Sequence, residues 1–134
     1  MTKTYHGGCH CGAVQFEVDV DLGEGSGRCN CTYCRKVRAW SAFVKPESFR
    51  LTSGEANLTS YHKHEQAPEK FFCKTCGVLT HSTGDADYMG GPFVSVSISA
   101  IDDATPEELA LVPIRYSDGL GNNWQNPPGE TKYL

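Results

Sequence analysis

Alternating apolar and polar residues predict a chain made mostly of short β-strands. The clearest alternation runs from Phe93 to Ile101, where Val94, Val96 and Ile98 form an apolar face opposite small polar residues. The same two-residue period over residues 13–20 predicts a half-buried strand. Shorter apolar runs predict further strands at residues 42–44, 49–52, 58–62, 70–73 and 78–82. The pattern favours a mainly β fold.

Helical signals are few. Thr105 is a good N-cap residue, Pro106 suits a first helical position, and acidic residues follow, so we expect one short helix over residues 105–109. A second short turn is expected from Thr32 to Val37. The Gly-rich and acidic residues 22–27 predict a loop, and residues 117–134 predict an irregular tail. A length of 134 residues fits one domain.

The chain has seven cysteines in three short clusters. The clusters are Cys9 and Cys11; Cys29, Cys31 and Cys34; and Cys73 and Cys76. Four thiolates complete a tetrahedral structural zinc site, whereas three thiolates leave one position open. The count therefore predicts one structural metal and one reactive metal.

Two pairings could supply the four-cysteine site. Cys31 and Cys34 could join Cys73 and Cys76 as two Cys-x-x-Cys knuckles, which would leave the remaining cysteines in separate places. Alternatively, Cys9 and Cys11 could join Cys73 and Cys76, so that Cys29, Cys31 and Cys34 stay together. We favour the second pairing because it uses every cysteine. The turn at Cys73–Cys76 would then be a zinc knuckle between two strands.

The three-cysteine cluster is the candidate catalytic site. A metal held by Cys29, Cys31 and Cys34 could ionise an incoming thiol or polarise a carbonyl. The basic residues Arg35, Lys36 and Arg38 follow directly and are candidates for holding a substrate carboxylate. Two other interpretations remain open. His62, His64 or His81 could complete a second structural zinc site, or Cys31 and Cys34 could form a redox disulfide.

Composition limits the possible partners and locations. A net charge of −4 argues against a nucleic-acid surface, which requires a basic patch. No segment approaches the roughly 18 apolar residues of a membrane helix, and the first residues lack the apolar stretch of a signal peptide. We therefore expect a cytoplasmic protein, where cysteines are more often ligands or reactive thiols than structural disulfides. Short exposed strands and an irregular tail would suit a homodimer.

Three linked motifs resemble the glutathione-dependent formaldehyde-activating enzyme family, which shares its domain with centromere protein V and belongs to the Mss4-like fold group. The motifs are Gly7-Gly8-Cys9-His10-Cys11-Gly12, Cys29-Asn30-Cys31-Thr32-Tyr33-Cys34-Arg35-Lys36 and Phe72-Cys73-Lys74-Thr75-Cys76-Gly77. The resemblance covers a zinc domain at residues 3–116 and leaves 117–134 as a tail packed on it or extending from it.

The resemblance implies a fold and an activity. The fold would be several small antiparallel sheets around a structural zinc, with one or two short helices. Cys9, Cys11, Cys73 and Cys76 match the structural ligands, and Cys29, Cys31 and Cys34 match a second, labile zinc site near which glutathione acts. The implied activity joins glutathione to formaldehyde, and its reverse is a carbon–sulfur lyase reaction.

The chain also departs from the family pattern. Asn30 stands where many relatives have histidine, and Arg38-Ala39-Trp40 replaces small residues. The tail resembles a branch ending in an Asp-Gly, Asn-Trp and Pro-rich pattern. Trp40 and Trp124 are expected mainly as packing residues, although either could wall a pocket. The alternative function is a non-catalytic zinc module that binds a protein partner through residues 117–134.

Overall fold

The computed structural model describes all residues from 1 to 134 and contains two β-sheets. The ten strands, numbered along the chain, are β1 Lys3–Gly8, β2 Gln15–Val20, β3 Ser26–Cys29, β4 Ser41–Val44, β5 Phe49–Ser53, β6 Leu58–Tyr61, β7 Glu69–Cys73, β8 Leu79–Ala86, β9 Gly91–Ser97 and β10 Ile114–Ser117. The two α-helices are α1 Thr32–Val37 and α2 Pro106–Ala110. The mainly β fold with one or two short helices is confirmed.

The two sheets differ in size. The smaller sheet has the strand order β1-β2-β5, and the larger has the order β10-β3-β4-β9-β8-β7-β6. Every pair is antiparallel except β10 with β3, which is parallel. The β7–β8 hairpin turns at Cys73–Gly77, so the expected knuckle between two strands is present. No helix of this chain is long and apolar enough to cross a membrane.

Apolar residues of both sheets share one core. Phe16 and Val18 from β2 and Val96 from β9 are almost completely buried. This agrees with the alternation in the sequence, because the buried residues of β2 and β9 recur at every second position. The core therefore fixes the two sheets against each other along the middle of the chain.

Helix α2 forms as its sequence predicts. Thr105 accepts a hydrogen bond from the backbone N–H of Glu108 at 3.1 Å, and the Glu108 carboxylate accepts one from the Thr105 N–H at 2.9 Å. This reciprocal pair is a capping box, which satisfies two donors at the helix start. The expected helix at residues 105–109 is confirmed, with its helical residues at 106–110.

Several boundaries and elements differ from the expectation. The strand predicted to reach Ile101 ends at Ser97, and a 3₁₀ turn covers Ile98–Ala100. The loop expected at residues 22–27 contains a 3₁₀ turn at Leu22–Glu24 and then the first residues of β3. Ser117, expected in an irregular tail, lies in β10, because β10 pairs with the distant β3.

His81 on β8 provides a test of the packing between the sheets. Its ring stacks on Phe71 at 4.8 Å between centroids, and Phe49 of the smaller sheet lies 4.4 Å away. Thr80 Oγ1 is 2.9 Å from His81 Nδ1. Burial lowers the pKa of His81 to about 4.

We expect His81 to make the protein less stable as the pH falls from 6.5 to about 4. In that window the unfolded chain binds a proton that the folded chain excludes, at a cost of up to about 3 kcal/mol. His81→Gln should flatten this part of the pH dependence of the unfolding free energy, measured by urea denaturation. The exposed His62→Gln variant is the control and should follow the wild type. An unchanged slope in His81→Gln would show that burial of this ring does not oppose its protonation.

Candidate metal centre

The seven cysteine sulfurs form two groups that could hold metal ions. Within each group the sulfur atoms all lie within 4.8 Å of one another. One group contains Cys9, Cys11, Cys73 and Cys76, and the other contains Cys29, Cys31 and Cys34. The structure therefore brings together the second of the two pairings expected from the sequence. All seven thiols are free of disulfides.

The four-cysteine group lies where the two sheets meet. Cys9 and Cys11 belong to the turn between β1 and β2 of the smaller sheet. Cys73 ends β7 and Cys76 lies in the turn before β8 of the larger sheet. Cys11 and Cys73 are 62 residues apart in the chain, yet their sulfurs are 3.6 Å apart. A metal bound here would clamp one sheet to the other.

The spacing of these sulfurs fits a tetrahedral ion such as Zn²⁺. A zinc–sulfur bond of about 2.3 Å places neighbouring ligands of a tetrahedral site about 3.8 Å apart. The Cys9 and Cys11 sulfurs are 3.7 Å apart, and those of Cys11 and Cys73 are 3.6 Å apart. The residues therefore suit a closed four-thiolate site.

Hydrogen bonds from the protein stabilise thiolates in this group. The backbone N–H groups of Cys76 and Thr75 lie 3.5 and 3.3 Å from the sulfur of Cys73, and Asn57 Nδ2 lies 3.1 Å from it. The hydrogen bonds from Cys76 and Thr75 lower the pKa of Cys73 to about 6. The backbone N–H of Val14 donates to Cys9 at 3.2 Å. These donors would stabilise the ionised sulfurs that a metal ion requires.

The three-cysteine group sits at the junction of β3 and α1. Cys29 ends β3, and Cys31 is the N-cap of α1, where its sulfur accepts a hydrogen bond from the Cys34 N–H at 3.4 Å. The Cys31 N–H in turn donates to Cys29 at 3.3 Å. All three residues are partly exposed, so a small molecule can approach the group.

The three thiols share their protons unequally when no metal is bound. Hydrogen bonds from Cys29 and then Cys34 lower the pKa of Cys31 to about 2. The same contacts, first with Cys29 and then with Cys31, raise the pKa of Cys34. One thiolate at Cys31 therefore forms first, and the other two thiols must lose protons for a metal to bind.

No histidine or carboxylate completes the three-cysteine group. His81, one of the three candidates for a fourth ligand, instead stacks on Phe71 and Phe49 in the core. His62 and His64 are exposed and lie in neither group. The group therefore offers a metal three sulfurs and leaves room for an outside ligand.

Of the three cations predicted to bind substrate, Arg35, Lys36 and Arg38, only Arg38 is hydrogen-bonded through its side chain within the chain. Arg35 and Lys36 are exposed on α1 and form no salt bridge. Arg38 ends α1 in a left-handed conformation with φ 51°, and its guanidinium donates to the backbone carbonyl of Leu134 at 3.2 Å. Arg38 is thus partly engaged within the chain.

Sequence analysis missed a fourth cation, Lys70 on β7. Its Nζ lies 5.0 Å from the centre of the Tyr33 ring, which stands between Cys31 and Cys34 in the chain. The charge of Lys70 also partly opposes the rise in the Cys34 pKa. Nothing local in Glu69-Lys70-Phe71 signals this role, because Lys70 reaches the site only through the pairing of distant strands.

An apolar groove opens beside α1. It has a volume of about 490 Å³ and is lined by Tyr33, Val37, Tyr61, Phe72, Gly77 and Leu79. Tyr33 stacks on Tyr61 with 6.1 Å between ring centroids. Gly77 follows Cys76, so the groove runs between the parts of the chain that carry the two cysteine groups.

We expect Cys73→Ser to lower the melting temperature by more than about 15 °C, because it removes a fully buried ligand of the site that joins the sheets. Cys34→Ser removes a sulfur from the partly exposed group and should lower the melting temperature by less than about 5 °C. Thermal unfolding followed by circular dichroism, with stoichiometric zinc, measures both. Equal losses in the two variants would contradict the division into a structural and an open site.

Comparison with known proteins identifies the family of this chain. Residues 4–114 match the family described as glutathione-dependent formaldehyde-activating enzyme. The fold is also similar to the crystal structure of a Rhodobacter sphaeroides protein, with a TM-score of 0.68 and 31% sequence identity. That similarity covers 82% of this chain and 99% of the other. The chain belongs to the glutathione-dependent formaldehyde-activating enzyme family.

Proposed function

We propose that this protein catalyses the reversible addition of a small thiol, such as glutathione, to a small aldehyde, such as formaldehyde. The thiol sulfur forms a bond to the carbonyl carbon while the C=O π bond breaks. The thiol proton ends on the former carbonyl oxygen, so the product is an S-hydroxyalkyl adduct and no oxidant is needed. In the reverse direction the reaction is that of a carbon–sulfur lyase.

The observation that carries the proposal is the partly exposed group of three cysteines without a fourth protein ligand. Cys29, Cys31 and Cys34 are proposed to hold a labile zinc ion, whereas the four-cysteine group is proposed to hold a structural one. A zinc ion bound by three thiolates would favour the ionised form of an incoming thiol. The family to which the chain belongs is named for the same pair of reactants.

The chain itself supplies charges that suit an anionic thiol. Lys70 approaches the site from β7, and Arg35 and Lys36 carry unpaired charges on α1. Such cations would attract the carboxylates of glutathione and orient its sulfur toward the cysteines. Arg38, also predicted to bind substrate, would contribute less because its guanidinium already contacts Leu134.

We propose a reducing cytoplasm as the setting, because the reaction requires both free cysteines and a reduced thiol substrate. The alternative function, partner binding through residues 117–134, receives less support. Asp118 and Leu120 are hydrogen-bonded to Asn30, between two of the three clustered cysteines. This part of the tail is therefore committed to the site rather than free for a partner.

We expect Cys31→Ser and Cys34→Ser each to reduce formation of the thiol–formaldehyde adduct by at least about 100-fold. Each variant removes one of three sulfurs from the proposed catalytic group. Adduct formation can be followed by NMR with ¹³C-formaldehyde and glutathione, after subtracting the uncatalysed rate. A circular dichroism spectrum like that of the wild type is the required control. Wild-type turnover in a folded Cys34→Ser variant would contradict the proposed function.

Lys70→Met should raise the KM for glutathione about three- to tenfold and leave kcat nearly unchanged, because the lost charge acts in substrate binding. The effect should shrink at high ionic strength as salt screens the charge. Lys63→Met, in the exposed segment after β6, is the matched control and should behave like the wild type. A fall in kcat with unchanged KM would place Lys70 in a different role.

A further inference from the structure

The segment after β10 has no regular secondary structure, but part of it closes into a loop. We call residues Asp118–Asn126 the tail loop. The backbone N–H of Asp118 donates to the Asn126 carbonyl at 3.0 Å, and the N–H of Asn123 donates to the Asp118 carbonyl at 2.8 Å. The Asp118 carboxylate also accepts a hydrogen bond from the N–H of Gly121 at 3.1 Å. These contacts close the loop on itself.

Asn30 anchors the tail loop to the three-cysteine group. Its side chain donates to Asp118 Oδ1 at 2.9 Å and accepts from the N–H of Leu120 at 3.0 Å. Asn30 lies between Cys29 and Cys31 and is only 5% exposed. The parallel pairing of Ser117 with Cys29 brings the two segments together just before the loop. A buried amide with both ends engaged holds the loop in one position.

The tail loop also lies directly against the sulfur of Cys29. A Cβ atom at Gly119 would come within 2.7 Å of Cys29 Sγ and within 2.5 Å of the Trp124 ring. Only glycine fits between them. The backbone of Gly119 and the indole of Trp124 therefore form one wall of the three-cysteine group.

Trp124 also lines a small open cavity on the tail loop. Its volume is about 270 Å³, and it is lined by Tyr88, Asn122, Asn123, Trp124 and Gln125. Drug-sized ligands occupy cavities of roughly 300–1,000 Å³. The cavity therefore suits one arm of a small molecule rather than a large ligand.

The amides around the cavity have N–H donors that make no hydrogen bond within the chain. Asn122 Oδ1 accepts the hydrogen bond of Trp124 Nε1 at 3.0 Å, and Asn123 Oδ1 accepts that of Asn126 Nδ2 at 2.9 Å. Their NH₂ groups, and the whole amide of Gln125, have no partner in the chain. A ligand that complements these groups presents acceptors, as carboxylates and amide carbonyls do.

We propose that the tail loop determines which thiols bind at the three-cysteine site. In this proposal, the cavity at Trp124 binds the part of the thiol that carries carbonyl or carboxylate groups. This inference rests on the proposed function and assigns to the tail loop the preference for a thiol that carries amide or carboxylate groups over a bare alkyl thiol. The tail loop lies outside residues 4–114, which match the family, so it is a feature that the family match does not supply.

The test uses a double variant, Asn122→Asp with Gln125→Ala, in the full chain with bound metal. Aspartate tolerates the left-handed backbone at residue 122, where φ is 54°, and keeps an oxygen that can accept the hydrogen bond of Trp124 Nε1. We expect the glutathione concentration that half-saturates the change in tryptophan emission to rise about tenfold. The KM for glutathione should rise by a similar factor with kcat unchanged. Trp124→Phe should remove the emission change itself.

Two controls separate the cavity from the metal site. Gln66→Ala, an exposed amide far along the chain, should match the wild type. 2-Mercaptoethanol, which has no carbonyl, should inhibit glutathione turnover with the same inhibition constant in the double variant and the wild type. Unchanged glutathione affinity in the double variant, or an equal weakening of 2-mercaptoethanol, would overturn the inference.

The two proposals fail in different ways. If Cys34→Ser kept full turnover, the proposed function would fall, whereas the emission titration of the double variant would still report on the cavity. If that titration matched the wild type while Cys34→Ser was inactive, the role of the tail loop in substrate binding would be contradicted. The proposed function would still be supported.

Discussion

The four-cysteine group is the constraint on which the rest of the structure depends. It joins the turn after β1 to the knuckle between β7 and β8, and so links the smaller sheet to the larger one. The apolar cluster around it has three buried residues, Cys9, Val14 and Cys73, and its other members are only partly buried, so apolar packing is limited at this end. Structural zinc contributes on the order of 10 kcal/mol or more to folding. The main core lies between the sheets, and a metal ion bound by the four cysteines would close the end that the core leaves open.

The two cysteine groups differ in ways that suit different roles. The first has four sulfurs within 4.8 Å of one another and includes the buried Cys9 and Cys73, although Cys11 is exposed. The second has three partly exposed cysteines, with Lys70 over the Tyr33 ring and the tail loop against Cys29. A closed site stabilises the fold because no ligand can be replaced, whereas an open site can exchange a ligand with solvent or substrate. On the proposed function, the same residue type would support stability in one place and chemistry in another.

Local patterns in the sequence predicted the local parts of the structure. Alternation identified β2 and β9, the capping residues around Thr105 identified α2, and cysteine spacing identified both groups. The features that were missed depend on distant pairing. Strand β1 has glycine at position 7 because the Ala100 carbonyl and the Phe16 ring occupy the space of a side chain, so its apolar signal is weak. Lys70 and the tail loop reach the three-cysteine group only through sheet pairing and the Asn30 amide.

The measurement that tests this account most directly is native mass spectrometry of metal-replete protein, with and without excess glutathione, counting zinc ions per chain. The account predicts two zinc ions per chain without glutathione. Adding glutathione should either attach one thiol to the two-zinc form or release one zinc ion, while the other stays bound. One zinc ion per chain under both conditions would contradict it, because Cys29, Cys31 and Cys34 would then not form a metal site.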